Sequence, residues 1–211
     1  CRTTDYVDRL FFMKIDTDGN VVFSKLFTPT AADPFEYPDG VWGAVEVDST
    51  SVAVVIATDV GWANQNAVGP VLVKFNKDGT VNFAVAQSDP YAPYAEFGYD
   101  CYVTEFYRLT YNNGFFMAVD AHVNQRAPAV IKLSPSGSFM WAKSFESGNP
   151  DKNGGASFIK AYSDGTIYLL GRMYDTFVSV GSSILIKLDI NGNVLMGKEY
   201  KAKSGYDVDF E

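Results

Sequence analysis

The 211-residue chain carries a net charge of −8, and its lysines are scattered along it rather than clustered. Nucleic acid binding needs concentrated positive charge and is therefore excluded, and docking on an anionic membrane surface is disfavoured for the same reason. Apolar residues at 47% and aromatic residues at 15% supply a core, yet no run reaches the roughly 18 apolar residues of a membrane-spanning helix.

The length allows one domain or one and a half. The chain begins with Cys1, and no charged-then-apolar leader follows it. Two cysteines, Cys1 and Cys101, define neither a disulfide framework nor a metal site, and one histidine, His122, rules out multi-histidine metal centres.

In chain order, Phe11–Phe27 (FFMKIDTDGNVVFSKLF) reads as a β-hairpin: two apolar runs around a turn with Asp-Gly. Residues 28–87 read as four strands. Trp42–Asp48 and Val52–Asp59 join at Ser49-Thr50-Ser51, and a second hairpin follows in Leu72–Val85 (LVKFNKDGTVNFAV). Residues 88–145 repeat the plan, with Tyr102–Thr110 and Phe115–Asp120 joined at Asn112-Asn113-Gly114, then the hairpin Val130–Phe145. Residues 146–200 repeat it again, with Ser157–Tyr162 and Thr166–Arg172 joined at Ser163-Asp164-Gly165, then Ile184–Tyr200 (ILIKLDINGNVLMGKEY). Residues 201–211 read as the start of a further first strand. The second strand of each unit, such as Val52–Ala57 or Phe115–Val119, is apolar on both faces, the pattern of a strand covered on both sides. No stretch has a helical period.

The hairpins share a register. Lys14, Lys74, Lys132 and Lys187 each stand five residues before a glycine, Gly19, Gly79, Gly137 or Gly192, and the lysines are 60, 58 and 55 residues apart. The glycine suits a type I turn that ends in a left-handed residue, where a side chain would clash. The residues flanking each lysine are Met13 and Ile15, Val73 and Phe75, Ile131 and Leu133, and Ile186 and Leu188. Alternation puts these pairs on one face and the lysine on the other. All four lysines are expected at equivalent, partly buried places, their heads led to the rim or to a carboxylate, with the flanking pairs largely buried.

A repeat of four short strands describes a β-propeller of four-stranded antiparallel blades. About three and a half blades are expected: 1–27 as the second half of a blade, then 28–87, 88–145 and 146–200, then the first strand of another in 201–211. Two organisations fit this count. The chain is either part of a longer propeller, or a four-bladed ring in which residues 205–211 pair with the N-terminal strands.

The repeat resembles those of large secreted or cell-surface β-propeller proteins, which read like LIKLDSNGNVLWSKTY at about this spacing. LIKLDINGNVLMGKEY is the closest copy here, departing at Met196 and Gly197, whereas AVIKLSPSGSFMWAKSF keeps the tryptophan as Trp141. The resemblance covers nearly the whole chain. It implies a propeller scaffold and an extracellular or surface location, and says little of function.

Candidate chemistry is sparse. Asp16-Thr17-Asp18-Gly19-Asn20 looks like the opening of a calcium loop, but its glycine is fourth rather than sixth and no acidic residue stands twelfth; a hairpin turn explains it. Gly197-Lys198-Glu199 is similar to part of the docking motif of quinone-binding propellers, without the tryptophan that follows there. No cofactor, metal site or catalytic residue is expected. His122 reads as a hydrogen-bonded residue near a strand end. Glu46 and Asp48 point to one side of a strand and face water or pair with lysines. Cys1 and Cys101 lie two units apart, too far for a disulfide.

The long connections, 28–41, 60–70, 88–100, 146–155 and 174–182, share one end of the scaffold and are the expected functional surface. Tyr37, Trp62, Tyr91 and Tyr94, with Glu96 beside them, form a candidate platform for a glycan or a protein partner, through flat apolar contact and directional acceptors. The same rings also suit packing over the sheet ends or contact with a neighbouring chain. A non-enzymatic structural or interaction module is the leading expectation. A carbohydrate-binding module and a propeller enzyme with its catalytic groups outside this segment are the alternatives.

Overall fold

The computed structural model describes residues 10–27, 38–58, 70–86, 102–122, 126–149, 151–175 and 181–201. These residues are all-β: they form β-strands, and no helix occurs among them. No helix long and apolar enough to cross a membrane is therefore present among the described residues. The chain divides into two compact units, Cys1–Pro90 and Tyr91–Glu211.

The first unit holds a hairpin, β1 (Leu10–Ile15) with β2 (Val21–Phe27), and a first four-stranded sheet, β3 (Pro38–Asp48), β4 (Ser51–Thr58), β5 (Pro70–Asn76) and β6 (Val81–Ala86). The strands are antiparallel and lie side by side in chain order. β4 has Ala53, Val54, Val55 and Ile56 all buried, as its unbroken apolar run predicts. The hairpin lays Phe12 and Phe27 on Val54, Ile56, Val73 and Phe75 of the sheet. Phe12 stacks on Phe75 with ring centroids 4.7 Å apart, and Phe27 meets the same ring at 5.1 Å.

The second unit holds two such sheets. One is β7 (Tyr102–Tyr111), β8 (Phe115–His122), β9 (Arg126–Leu133) and β10 (Phe139–Ser144). The other is β11 (Lys152–Ala161), β12 (Ile167–Asp175), β13 (Gly181–Leu188) and β14 (Val194–Lys201). β11 lies against β7, β8 and β9. Phe116, Ala118 and Val130 of one sheet share a core with Ile159, Leu169, Ile186 and Leu188 of the other, and Trp141 packs against it.

The turn glycines adopt the left-handed conformation the sequence requires, with φ of +85° at Gly19, +80° at Gly79, +85° at Gly137 and +77° at Gly192. Each turn closes in the same way. The glycine N–H donates to the carbonyl three residues back, and that residue's own N–H donates to the carbonyl four residues ahead, as from Asp189 to Asn193 at 3.0 Å.

The four lysines occupy one register. Lys14 pairs across the hairpin with Phe23, Lys74 with Phe83, Lys132 with Trp141 and Lys187 with Met196. Directly after each pair the register slips by one residue, leaving Val22, Asn82, Met140 and Leu195 as the extra residues of β-bulges. Three flanking pairs are buried as expected: Val73 and Phe75, Ile131 and Leu133, Ile186 and Leu188. The first departs from expectation. Met13 is 43% and Ile15 54% exposed, and Lys14 is exposed as well. Phe12 points into the core of the first unit, so alternation turns Met13 and Ile15 to the opposite, exposed face.

The connections are shorter than the sequence suggests. β3 begins at Pro38, β12 runs to Asp175, and His122 closes β8 rather than following it, opposite Arg126. β11 begins at Lys152 and includes Gly154 and Gly155, which read as loop in the sequence. Both pair with β12 in the ladder, and glycine is required at each because the neighbours come too close for a side chain. A Cβ on Gly154 would lie 2.2 Å from the sulfur of Met173, and one on Gly155 would lie 2.8 Å from the Asp120 carboxylate.

Candidate functional site

Tyr37, Trp62, Tyr91, Tyr94 and Glu96 lie outside the described residues, as do Cys1 and Cys101. The other residues singled out in the sequence do not converge. Glu46 accepts from Lys77. Asp48 folds onto its own turn, accepting from the Ser51 hydroxyl and from the Thr50 hydroxyl and N–H, each at 2.7 Å. The Ser51 and Thr50 hydroxyls, followed by the Thr50 N–H, hold its carboxyl far below the ordinary range, with the Lys74 ammonium 3.8 Å away adding to the effect. Asp16 also turns inward: its carboxylate accepts from Asn20 N–H at 2.8 Å and Asp18 N–H at 3.0 Å, and these bonds lower its pKa, Asn20 foremost. Oxygens spent on the turn in this way are those a calcium loop would aim at its ion. Among the described residues, no group of three or more His, Cys, Asp or Glu is placed to hold a metal ion.

The polar groups that do come together lie between the two sheets of the second unit. At their centre is Asp120 on β8, fully buried. Arg126, on β9, approaches its Oδ2 with both Nε and Nη2 at 2.6 Å. Oδ1 accepts the Ala156 N–H of β11 at 2.7 Å. The Arg126 backbone N–H donates in turn to Asn153 Oδ1 on β11 at 3.0 Å. The bare backbone of Gly155 lets β11 come this close to the carboxylate. A buried charge is tolerated only when paired and hydrogen-bonded, and this one meets both conditions by joining one sheet to the next. The sequence analysis missed it. Its signals were a lone carboxylate inside an apolar strand, Met117-Ala118-Val119-Asp120-Ala121, and a Gly-Gly pair 34 residues further on.

Two openings flank this seam. A groove of 380 Å³ has Phe145, Met173, Ile184 and Ile186 among its walls, with Lys152 and Glu199 at its mouth. Glu199 accepts from Ser182 Oγ at 2.6 Å and Lys152 Nζ at 2.9 Å, and its carboxyl titrates below the usual value chiefly because of the Ser182 bond. A cleft of 530 Å³ opens among the tight turns, lined by Asn112, Asn113, Lys132, Ser134, Ser163 and Asp164 and their neighbours. Lys132 is buried, with its ammonium 5.4 Å from the centroid of the Phe116 ring and donating to the Ile190 carbonyl of the facing sheet at 3.0 Å. Burial lowers its pKa, while Asp189 pulls the other way.

A third contact closes the seam at its outer strands. Trp141, on β10, lies over the turn glycine of the next sheet. A Cβ on Gly192 would meet its ring at 2.9 Å and the Lys143 side chain at 3.1 Å. The indole N–H of Trp141 is buried and has no hydrogen-bond partner among the described residues, so packing holds the ring there. The same contact recurs in the first unit, where a Cβ on Gly79 would meet Phe23 at 2.7 Å and Lys25 at 3.2 Å. Together these groups join one sheet to the next.

No family model matches the chain, and no curated protein matches it either.

Proposed function

We propose that the chain is a segment of a β-propeller that acts as a non-enzymatic structural or interaction module outside the cell. One observation carries the scaffold reading: the same sheet-to-sheet contact, an aromatic and a lysine laid over the next turn glycine, occurs in both units. Repetition of one packing step is what propellers and solenoids are built from. The pairing of Asp120, Glu46, Asp48 and Glu199 with cations, hydroxyls or backbone N–H groups supports a structural use of the carboxylates.

The module's partner is a protein or a glycan, and the sequence places the platform at Tyr37, Trp62, Tyr91 and Tyr94, with Glu96 as an acceptor. The test is to present the chain to glycan and peptide panels, reading both binding and turnover. Binding without turnover, weakened by Trp62→Ala or Tyr94→Ala and kept in single acidic variants, is the expected result. Turnover that disappears in one Asp or Glu variant overturns the reading in favour of an enzyme.

A further inference from the structure

Each four-stranded sheet carries one of the repeat lysines on its third strand, and two of these sheets give that lysine a carboxylate from the turn between their first two strands. Lys74 has Asp48 at 3.8 Å. In the sheet of β11–β14, the Asp164 carboxyl lies below its ordinary range through the Thr166 hydroxyl and N–H, and the Lys187 ammonium adds to the effect. The sheet of β7–β10 departs. Its turn is Asn112-Asn113-Gly114, which offers amides and no carboxylate. Yet Lys132 is the buried lysine of the three, 7% exposed. Its ammonium donates to the Ile190 carbonyl, and among the described residues no carboxylate pairs with it. A buried ammonium without a counter-charge is costly.

Two acids stand near, and both are spent on their own turns. Asp164 Oδ1 accepts the Thr166 hydroxyl at 2.6 Å and the Thr166 N–H at 2.9 Å. Asp189 accepts the N–H groups of Asn191 and Asn193 at 2.9 and 2.8 Å and the Asn193 side-chain amide at 2.8 Å. The space beside Lys132 is the 530 Å³ cleft. Pro135, Met140 and Ile190 give it apolar wall, and Asn113 and Ser163 give it an exposed amide and an exposed hydroxyl. The cleft belongs to the second unit alone. β7, β9, β11 and β13 run toward the tight turns, and β8, β10, β12 and β14 run away from them. The cleft therefore lies at the end where every turn of these two sheets is described, and the strands meet the remaining residues of the unit at the opposite end.

We propose that this cleft binds a small organic carboxylate, which supplies to Lys132 the charge that Asp48 and Asp164 supply to Lys74 and Lys187. The carboxylate faces the Lys132 ammonium with Asn113 or Ser163 as a second donor, and the body of the ligand lies on Pro135, Met140 and Ile190. A charge-assisted hydrogen bond sheltered from water is stronger than the same bond in water. The site is separate from the aromatic platform, and it rests on neither that platform nor the propeller reading.

Titration of the isotope-labelled full chain, followed by amide NMR shifts, tests it. The probes are benzoate, a compact aromatic carboxylate, and glucuronate, a sugar carboxylate, with benzamide and glucose as their neutral counterparts. At least one acid is expected to shift the amides of the β7–β8 and β11–β12 turns and to bind at least about tenfold more tightly than its neutral counterpart. Which acid does so decides between an aromatic and a sugar ligand. Lys132→Met keeps an apolar stem and removes the preference for the acid. Asn113→Asp is the milder variant, because aspartate tolerates the φ of +47° that Asn113 adopts. It supplies the absent carboxylate from the turn, and so weakens acid binding at least about tenfold while circular dichroism stays unchanged. Acids that fail to bind, or that bind no better than their neutral counterparts, overturn the proposal. So does a preference for the acid that Asn113→Asp leaves intact, since the carboxylate would then sit elsewhere.

Discussion

The two units solve one packing problem with different chemistry. In the first, the hairpin and sheet meet through apolar contact centred on rings, Phe12 and Phe27 on Phe75 beside Val54, Ile56 and Val73. In the second, an aliphatic core is supplemented by a buried carboxylate, a guanidinium and an ammonium, each reaching the other sheet or fixing a group that does. A ring contact is non-directional and tolerates sliding, whereas the Asp120 oxygens accept only from donors in fixed places. The repeat thus sets where sheets meet, and the residues at the seam set how firmly their register is held.

The largest effects should come from removing the centre of each seam. Arg126→Leu removes the cation from the buried Asp120 carboxylate and should cost about 3–5 kcal/mol, while Phe75→Ala leaves a cavity and should cost a similar amount, about 3–5 kcal/mol. Denaturant unfolding of both variants measures this. The comparison sharpens if a second substitution, Asp120→Leu, is added to the first. Removing both charges should recover much of the loss, as replacing a buried pair by apolar groups often does. The ring seam has no such rescue.

The next effect separates the turn from what covers it. Gly19→Ala and Gly192→Ala both force an alanine into the left-handed region, at about 1–2 kcal/mol. At Gly192 the new methyl also meets Trp141 and Lys143, so overpacking adds about 1–3 kcal/mol. Equal losses in thermal unfolding at the two sites would show that Trp141 yields freely and that the contact does not hold the sheets.

The smallest effect is one of pH. Glu199 has a folded pKa below its ordinary 4.5, from the Ser182 hydroxyl and then Lys152. Its contribution to stability is present above that ordinary value and is lost as pH falls through the folded pKa. Glu199→Gln should therefore flatten the decline in stability below about pH 4.5 and leave neutral stability little changed, because the group is a third exposed. Chemical unfolding across pH 3 to 7, about the range in which carboxylates titrate, gives the slopes.

The strand plan was open to sequence reading because it rests on local chemistry. Positive φ at Gly19, Gly79, Gly137 and Gly192 and alternation around the four lysines depend on near neighbours only. The seam was closed to it because it depends on distant ones. Asp120 meets Ala156 across 36 residues, and nothing near Gly155 says that a carboxylate will lie against it. The exposure of Met13 and Ile15 failed for the same reason: alternation assigns a residue to a face but not a neighbour to that face. The aromatic platform at Tyr37, Trp62, Tyr91 and Tyr94 rests on composition alone, with no periodicity behind it.

The bulge after each lysine pair has a practical use. Val22, Asn82, Met140 and Leu195 are the extra residues, all exposed, and they share neither polarity nor shape. A position outside the ladder is spared both the pairing geometry and the burial that constrain its neighbours. It is therefore a ready attachment point. A cysteine placed at any of the four would carry a fluorophore or spin label without disturbing a strand. With one label per hairpin, distances measured in solution would report how the repeats are arranged.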